Sequence, residues 1–214
     1  MLQLMEHKLI TIEGNIGAGK TTLSTILAAR LNARLVLEQF SDNPFLPKFY
    51  TDPAKYAFPL ELFFMAERFK QLKELTQPDM FQQVTVSDYL FVKCLLFAKV
   101  NLPAEEYQLY KKLFDIIHQQ MRFPDILIFL QAPVEKLQGN IRKRGRDYEQ
   151  NISDSYLQEI QNAYLSYIQW QTGITLIVDV TNADFMQNGM HVQTILNALE
   201  TPFPPGIHRI TLPF

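Results

Sequence analysis

Cysteine is nearly missing from this chain. Cys94 stands alone among 214 residues, which excludes an internal disulfide framework and fits a reducing compartment. Neither sign of charge is in excess: 20 Lys and Arg against 22 Asp and Glu leave a formal net charge of −2, with a pI near 6.1. That balance carries no electrostatic footprint for polymeric nucleic acid. No apolar run reaches membrane-spanning length, and the opening Met1-Leu2-Gln3-Leu4-Met5 is too short for a signal peptide. The expectation is a cytoplasmic protein with neither a membrane nor a nucleic-acid polymer as partner. His118 and His191 are isolated, with no metal-ligand spacing around them, and both read as structural. Repeats and low-complexity tracts are lacking.

What is present is an ordinary globular composition, 47% hydrophobic and 20% charged, enough to bury a full core as one domain carrying a lid. Strand-like and helix-like segments alternate. Strands are expected at about Lys8–Glu13, Arg34–Glu38, Val84–Val86, Asp125–Leu130 and Ile174–Val178. Helices are expected at about Lys20–Asn32, Pro53–Lys73, Tyr89–Lys99 and Ala104–Met121, with another opened by Pro133. Pro59 predicts a kink or a start inside the second helix. Alternation of this kind implies right-handed crossovers and a five-stranded parallel sheet covered by helices on both faces, an α/β architecture in three layers. Residues 1–200 are expected to form the domain. The tail 201–214, opening on Thr201-Pro202-Phe203-Pro204-Pro205, reads as a surface extension.

One motif carries chemistry outright. Gly14-Asn15-Ile16-Gly17-Ala18-Gly19-Lys20-Thr21 follows the first strand and opens the first helix. It matches the phosphate-binding loop G-x-x-x-x-G-K-[ST]. Its glycines let successive backbone N–H groups turn inward around phosphates. Lys20 supplies a point charge, and the Thr21 hydroxyl can hold Mg²⁺. The helix N-terminus adds its positive end to the same anion. A nucleoside triphosphate is the expected ligand, ATP with Mg²⁺.

A second segment narrows the class. Arg142-Lys143-Arg144-Gly145-Arg146 places four cations within five residues at the end of a helix. A solvated helix end is the plainer reading of such a run. Gly145, however, offers a hinge, and a phosphate loop elsewhere in the chain calls for cations to neutralise a transferred phosphoryl group. Arginines on a mobile lid, about residues 142–152, serve that purpose. Glu38, at the carboxyl end of the second strand, points into the crevice where open α/β sheets bind ligands. It is the candidate general base for a hydroxyl acceptor. Asp88, ending the third strand, is the natural second acid for Mg²⁺, with a helix N-cap as its structural alternative.

From about His7 to Phe185 these features together resemble the deoxynucleoside kinase family, a branch of the P-loop kinases. The anchors are the loop, the acid after the second strand, an aromatic-rich helix with a spaced Arg, the Arg-Gly-Arg lid and a later Asn-x-Asp-Phe. The resemblance implies that Glu38 is base for a 5′-hydroxyl and that Lys20, Arg144 and Arg146 clamp the transferred group. It implies that Glu149 and Tyr50 bind the sugar 3′-hydroxyl. The nucleotide side then takes in Gly14 through Thr22, that is Gly14, Asn15, Ile16, Gly17, Ala18, Gly19, Lys20, Thr21 and Thr22, with Arg142, Asp184 and Phe185. Thr21 and Asp88 would serve the metal. A homodimer through the helices near Tyr89–Lys99 and Ala104–Met121 is implied in the same way.

The chain also departs from the family pattern. Gln39 replaces the usual Pro after the base. Tyr89 stands where the family has an Arg bracing the catalytic base, and Lys93, a helical turn on, is the candidate substitute. Glu61 replaces a base-reading Gln, whereas Arg68, seven residues later on the same face, is retained. The Asp that normally pairs with that Arg is missing, and Lys93 or Cys94 occupies its place. An ionised carboxylate only accepts hydrogen bonds, so Glu61 suits the paired donors of guanine, N1–H and the 2-amino group. Arg68 or Lys93 would meet O6 and N7. The alternative is that Glu61 is consumed by a structural pair with Arg68 or Lys93. Phe58, Phe63, Phe64 and Phe69 read mainly as core, with one or two available to stack on a base. The expected activity is phosphorylation of a deoxyribonucleoside, purines favoured and deoxyguanosine first. A nucleoside monophosphate kinase of thymidylate type and a nucleotide-binding regulator with weakened turnover are the other readings.

Overall fold

The computed structural model describes residues 7–39, 42–74 and 83–213. Six strands run through it: β1 (Leu9–Gly14), β2 (Arg34–Val36), β3 (Thr85–Ser87), β4 (Ile126–Gln131), β5 (Ile174–Asp179) and β6 (Gly206–Ile210). The helices are α1 (Lys20–Leu31), α2 (Leu46–Phe49), α3 (Pro53–Glu74), α4 (Lys93–Asn101), α5 (Ala104–His118), α6 (Val134–Arg144), α7 (Asp154–Gln169) and α8 (Gly189–Glu200). All strand pairs are parallel, in the order β2-β3-β1-β4-β5-β6.

Parallel strands must be buried on both faces, because the crossovers place helices there. β4 shows the consequence directly. Ile126, Ile128 and Leu130 join one apolar cluster with Leu23 and Leu27 of α1, Ile141 of α6 and Ile195 of α8. Leu127 and Phe129, pointing the other way, join a second cluster with Leu60 of α3, Leu96 of α4, Phe114 of α5 and Tyr164 of α7. The period of two along the strand thus sorts one sequence run into two cores.

β1 lies between β3 and β4, so the chain passes over β1 on its way from β3 to β4. This is the switch point where the strand order reverses and a crevice opens beyond the carboxyl ends of the strands. All six residues of β1 are buried. Among them Glu13 is held by three donors: Leu90 N (2.7 Å), Tyr164 Oη (2.8 Å) and Gly14 N (3.2 Å).

Several boundaries differ from the sequence expectation, each for a local reason. The sheet has six strands and not five. Residues 206–210, expected within a surface extension, pair with β5 as an edge strand; the preceding prolines conceal so short a strand from pattern reading. β2 stops at Val36 because Glu38 N donates to the Asp88 carboxylate at 2.7 Å, away from the ladder. α4 begins at Lys93 and not at Tyr89. Ser87 Oγ donates to Tyr89 O (2.8 Å) and Glu13 accepts from Leu90 N, which removes those groups from a helix. α5 ends at His118, where 3-residue turns from Ile117 O and His118 O follow. Pro59 does not end α3, whose flanking Ala57 and Leu60 are buried; packing outweighs the lost backbone bond.

Leu176 is fully buried at the centre of β5, between β4 and β6. Leu176→Ala is expected to destabilise the fold by about 2–5 kcal/mol, read as a lowered midpoint in urea unfolding.

Candidate active site

The phosphate loop leaves β1 at Gly14 and enters α1 at Lys20. Gly17 and Gly19 adopt φ of +82° and +92°, a region that side chains avoid. A Cβ at Gly17 would also lie 2.7 Å from Leu137 O. The loop is braced from outside: Asn140 of α6 donates to Gly17 O, and the Asn15 amide donates to Leu157 O, each at 2.7 Å. Lys20 Nζ folds over the loop and donates to Gly14 O and Asn15 O at 2.9 Å. Burial, and then the nearby Lys93 ammonium, push the Lys20 amine down to about 8.

Asp88 ties the loop to the acceptor side. One carboxylate oxygen accepts from Thr21 Oγ1 at 2.6 Å, and the other accepts from Glu38 N at 2.7 Å. Two hard oxygen groups therefore stand together beside the phosphate position, which is the donor set Mg²⁺ takes when a nucleotide supplies the rest. Among the described residues there is no cluster of three His, Cys, Asp or Glu side chains able to hold a metal on its own.

Beyond the loop a cleft opens, lined by Lys20, Thr21, Glu38, Asp88 and the lid arginines at one end and by Glu61, Phe64, Phe97 and Asn101 at the other. Two helices build most of its wall by periodicity. Glu61, Phe64 and Arg68 lie at i, i+3 and i+7 on α3; Lys93, Phe97 and Asn101 lie at i, i+4 and i+8 on α4. Glu38 sits where these walls meet. Arg68 Nε donates to Oε1 at 2.8 Å, with Nη2 on the same oxygen, and Lys93 Nζ donates to Oε2 at 2.6 Å. Burial opposes ionisation of Glu38, but the Arg68 guanidinium and the Lys93 ammonium outweigh it and hold the carboxyl far below the usual carboxylate range.

This arrangement settles two alternatives left open by the sequence. Cys94, not Lys93, faces Arg68: Nη1 donates to its Sγ at 3.1 Å, and Lys93 goes to Glu38. Tyr89, in place of an Arg, is buried and donates to Gln71 Oε1 at 3.0 Å; Lys93 supplies the cation beside Glu38. Because both cations serve Glu38, neither forms an ion pair with Glu61, and neither is left over for the acceptors of a base. Glu61 is 1% exposed, accepts from Asn101 Nδ2 at 2.7 Å through one oxygen, and has no partner on the other among the described residues. Burial raises its carboxyl to about 7, against the pull of Arg68 and Asn101.

The lid follows α6. Gly145 takes φ +71° as the helix ends, and a 3-10 turn over Asp147–Glu149 carries buried Glu149 into the cleft. Arg144 and Arg146 both pair with Glu149, the latter at 3.1 Å. Tyr50 stacks on Tyr148, with ring centroids 6.1 Å apart, and lines the same cleft. Burial and the Glu149 carboxylate raise its hydroxyl above the usual range. Phe185 packs beside Gly19, and Asp184 caps the turn by accepting from Met186 N and Gln187 N at 3.0 Å. Arg142 is exposed on α6, away from the cleft walls, and Thr22 lies in the first turn of α1. Phe58, Phe64 and Phe69 fringe the second apolar cluster; Phe64 alone of the four helix aromatics lines the cleft, under the Arg68 guanidinium at 4.7 Å. His191 is structural, accepting from Asp184 N, and His118 stacks on Phe114.

Glu13, Asn101 and Asn140 were not found by sequence reasoning. Asn101 had a signal in its spacing of eight from Lys93. Glu13 and Asn140 act through partners distant in sequence, and nothing local marks them.

Glu61 also gives a stability test. Its folded carboxyl lies near 7 and its unfolded one near 4.5, so the folded state holds the extra proton between those values. Its favourable contribution is complete below the unfolded value and is lost as pH rises through the folded one. Glu61→Gln removes the titration. The stability of this variant relative to the parent is expected to grow by about 2–3 kcal/mol from about pH 5 to pH 8, measured by urea unfolding at each pH.

Comparison with known proteins gives the family. The deoxynucleoside kinase family model matches residues 10–203. A deoxyguanosine kinase of Bacillus subtilis (strain 168) is 35% identical over 185 residues, covering 84% of this chain and 89% of that protein. A deoxyadenosine kinase of Dictyostelium discoideum is 33% identical over 194 residues, covering 89% and 79%. Among solved structures, deoxyadenosine kinase from M. mycoides with bound dATP shares the fold at a TM-score of 0.80 and 24% identity, covering 91% of this chain and 100% of that one. With its phosphate loop, paired acids and arginine lid around one cleft, this chain belongs to the deoxynucleoside kinase family.

Proposed function

We propose that the protein transfers the γ-phosphoryl group of ATP, with Mg²⁺, to the 5′-hydroxyl of a deoxyribonucleoside, favouring purines and deoxyguanosine first. The observation that carries this reading is that Glu38, ionised and fixed by two cations, lines the same cleft as Lys20 of the phosphate loop. Thr21 and Asp88 are the residues that would hold Mg²⁺, which would supply charge neutralisation to the transfer. Glu38 accepts a hydrogen bond from the 5′-hydroxyl and aligns its oxygen with the phosphorus. A carboxylate held so acidic takes the proton late, once bonding to phosphorus has acidified that oxygen. Lys20 and the loop amides bind the donor phosphates. Arg144 and Arg146, on a lid over about residues 142–152, turn from Glu149 toward the transferring group, which leaves Glu149 and Tyr50 to receive the sugar 3′-hydroxyl. Asp184 and Phe185 flank the nucleotide side. At the far end, the unpartnered oxygen of Glu61 supports the guanine preference.

The cleft cations of α3 and α4 are already engaged by Glu38, which weighs against an acceptor bringing its own phosphate. Exposed Leu109, Leu113 and Ile116 recur on one face of α5, and we assign that face to a homodimer. Ile116→Asp is expected to give monomers in analytical ultracentrifugation if the parent sediments as a dimer.

The direct test is monophosphate formation with ATP and Mg²⁺ across the four deoxynucleosides, their ribo-forms and the monophosphates. Turnover should be highest on deoxyguanosine. Glu38→Gln should lower kcat by about 10²–10⁴-fold with little change in KM for ATP. Equal turnover by that variant would remove Glu38 from the chemistry.

A further inference from the structure

The far end of the cleft holds an acid the phosphoryl transfer does not use. Glu61 is buried, its Oε1 is fixed by Asn101 Nδ2 at 2.7 Å, and its Oε2 has no partner among the described residues. Both groups line the cleft with Phe64 and Phe97. An unpartnered oxygen on a buried carboxyl is costly unless a ligand or a proton satisfies it.

The two forms of that carboxyl present different patterns to a ligand. Ionised, it offers acceptors only, which fits the adjacent N1–H and 2-amino donors of guanine. Protonated, it offers a donor beside an acceptor, as a glutamine amide does. That pattern fits adenine, which sets the N1 acceptor beside its amino group, and cytosine likewise. We propose that the Asn101–Glu61 pair makes base choice depend on protonation, the ionised form selecting deoxyguanosine and the protonated form admitting deoxyadenosine and deoxycytidine, with Asn101 as the residue that positions Glu61 and favours its ionised form. This inference rests on the guanine reading given above.

The surroundings allow both forms. From its own helix Arg68 draws Glu61 toward ionisation, and from α4 Lys93 does the same, but both are neutralised by Glu38, which acts in the opposite direction. Cys94 of α4, Tyr110 of α5, Tyr156 of α7 and Tyr50 also face it; Tyr110 Oη donates to the Glu61 backbone carbonyl at 3.1 Å and not to the carboxyl. Asn101 is therefore the only neutral donor seen on the carboxyl among the described residues. With burial raising it to about 7, Glu61 changes form within the ordinary working range of an enzyme.

The test is kcat/KM for deoxyguanosine and for deoxyadenosine between about pH 5.5 and pH 8.5. The ratio of the two is the readout, because kcat/KM reports the free enzyme. Titration of Lys20 or Glu38 acts on both substrates alike and cancels in that ratio. The deoxyguanosine-to-deoxyadenosine ratio is expected to rise about tenfold per pH unit where Glu61 titrates. Glu61→Gln should give a low and flat ratio, and Asn101→Ala should move the midpoint to higher pH. A flat ratio in the parent with deoxyguanosine still preferred overturns the switch and leaves the guanine reading intact. A flat ratio with no deoxyguanosine preference overturns both. A slope surviving in Glu61→Gln places the titration elsewhere and overturns the assignment, and an unmoved midpoint in Asn101→Ala overturns the role given to Asn101.

Discussion

Three charges meet at Glu38, and most of the acceptor half follows from the need to pair them. Arg68 and Lys93 are 3% and 7% exposed in their side chains, and Glu38 is 14% exposed. Removing one partner of such a group costs about 3–5 kcal/mol, because an uncompensated charge stays buried. The cluster therefore joins the end of β2, the middle of α3 and the start of α4 at fixed positions. Everything that lines the cleft from those helices takes its place from this joint: Glu61 and Phe64 a turn or two before Arg68, Phe97 and Asn101 after Lys93. The same cluster occupies both cations, so neither pairs with the Glu61 oxygen that lacks a partner among the described residues.

The nucleotide half depends on a second set of polar ties. Asp88 connects Thr21 of the loop to the backbone of Glu38, so the phosphate loop and the cleft carboxylate are held in one frame. Glu13 does similar work a layer deeper, linking β1 to the segment after β3 and to α7. Burial raises its carboxyl, and three donors satisfy it. In-line transfer tolerates little misplacement, and these ties run through the sheet's interior, where packing keeps them rigid. The lid is built differently. Arg144 and Arg146 are half-exposed, joined to the scaffold through Glu149 and hinged at Gly145, a construction suited to exchanging one anionic partner for another.

Tyr89 and Lys93 divide their tasks between core and site. Tyr89 turns inward to Gln71, and a lysine four residues later reaches Glu38 instead. Lysine is a compact point charge and not a planar fork, so Glu38 receives its forked contact from Arg68 and a single contact from Lys93. In the same region the neutral Cys94 thiol accepts from the third nitrogen of Arg68.

The sequence by itself determined the features that depend on neighbours in the chain. Strand–helix alternation specified a parallel α/β sheet. The spacing of Gly14, Gly19, Lys20 and Thr21 specified the phosphate loop, and the i, i+7 spacing of Glu61 and Arg68 put them on one helical face. The tertiary structure alone decided which charges pair. Glu38, Arg68 and Lys93 are separated by 30 and 25 positions, and helical periodicity places a side chain on a face without saying what crosses from the next element. It also decided that 206–210 joins the sheet, since an edge strand of five residues after a run of prolines is defined by the backbone of β5 and not by its own pattern. Local rules act over a few residues, whereas pairing of buried charge is a demand of the assembled interior, where water no longer competes.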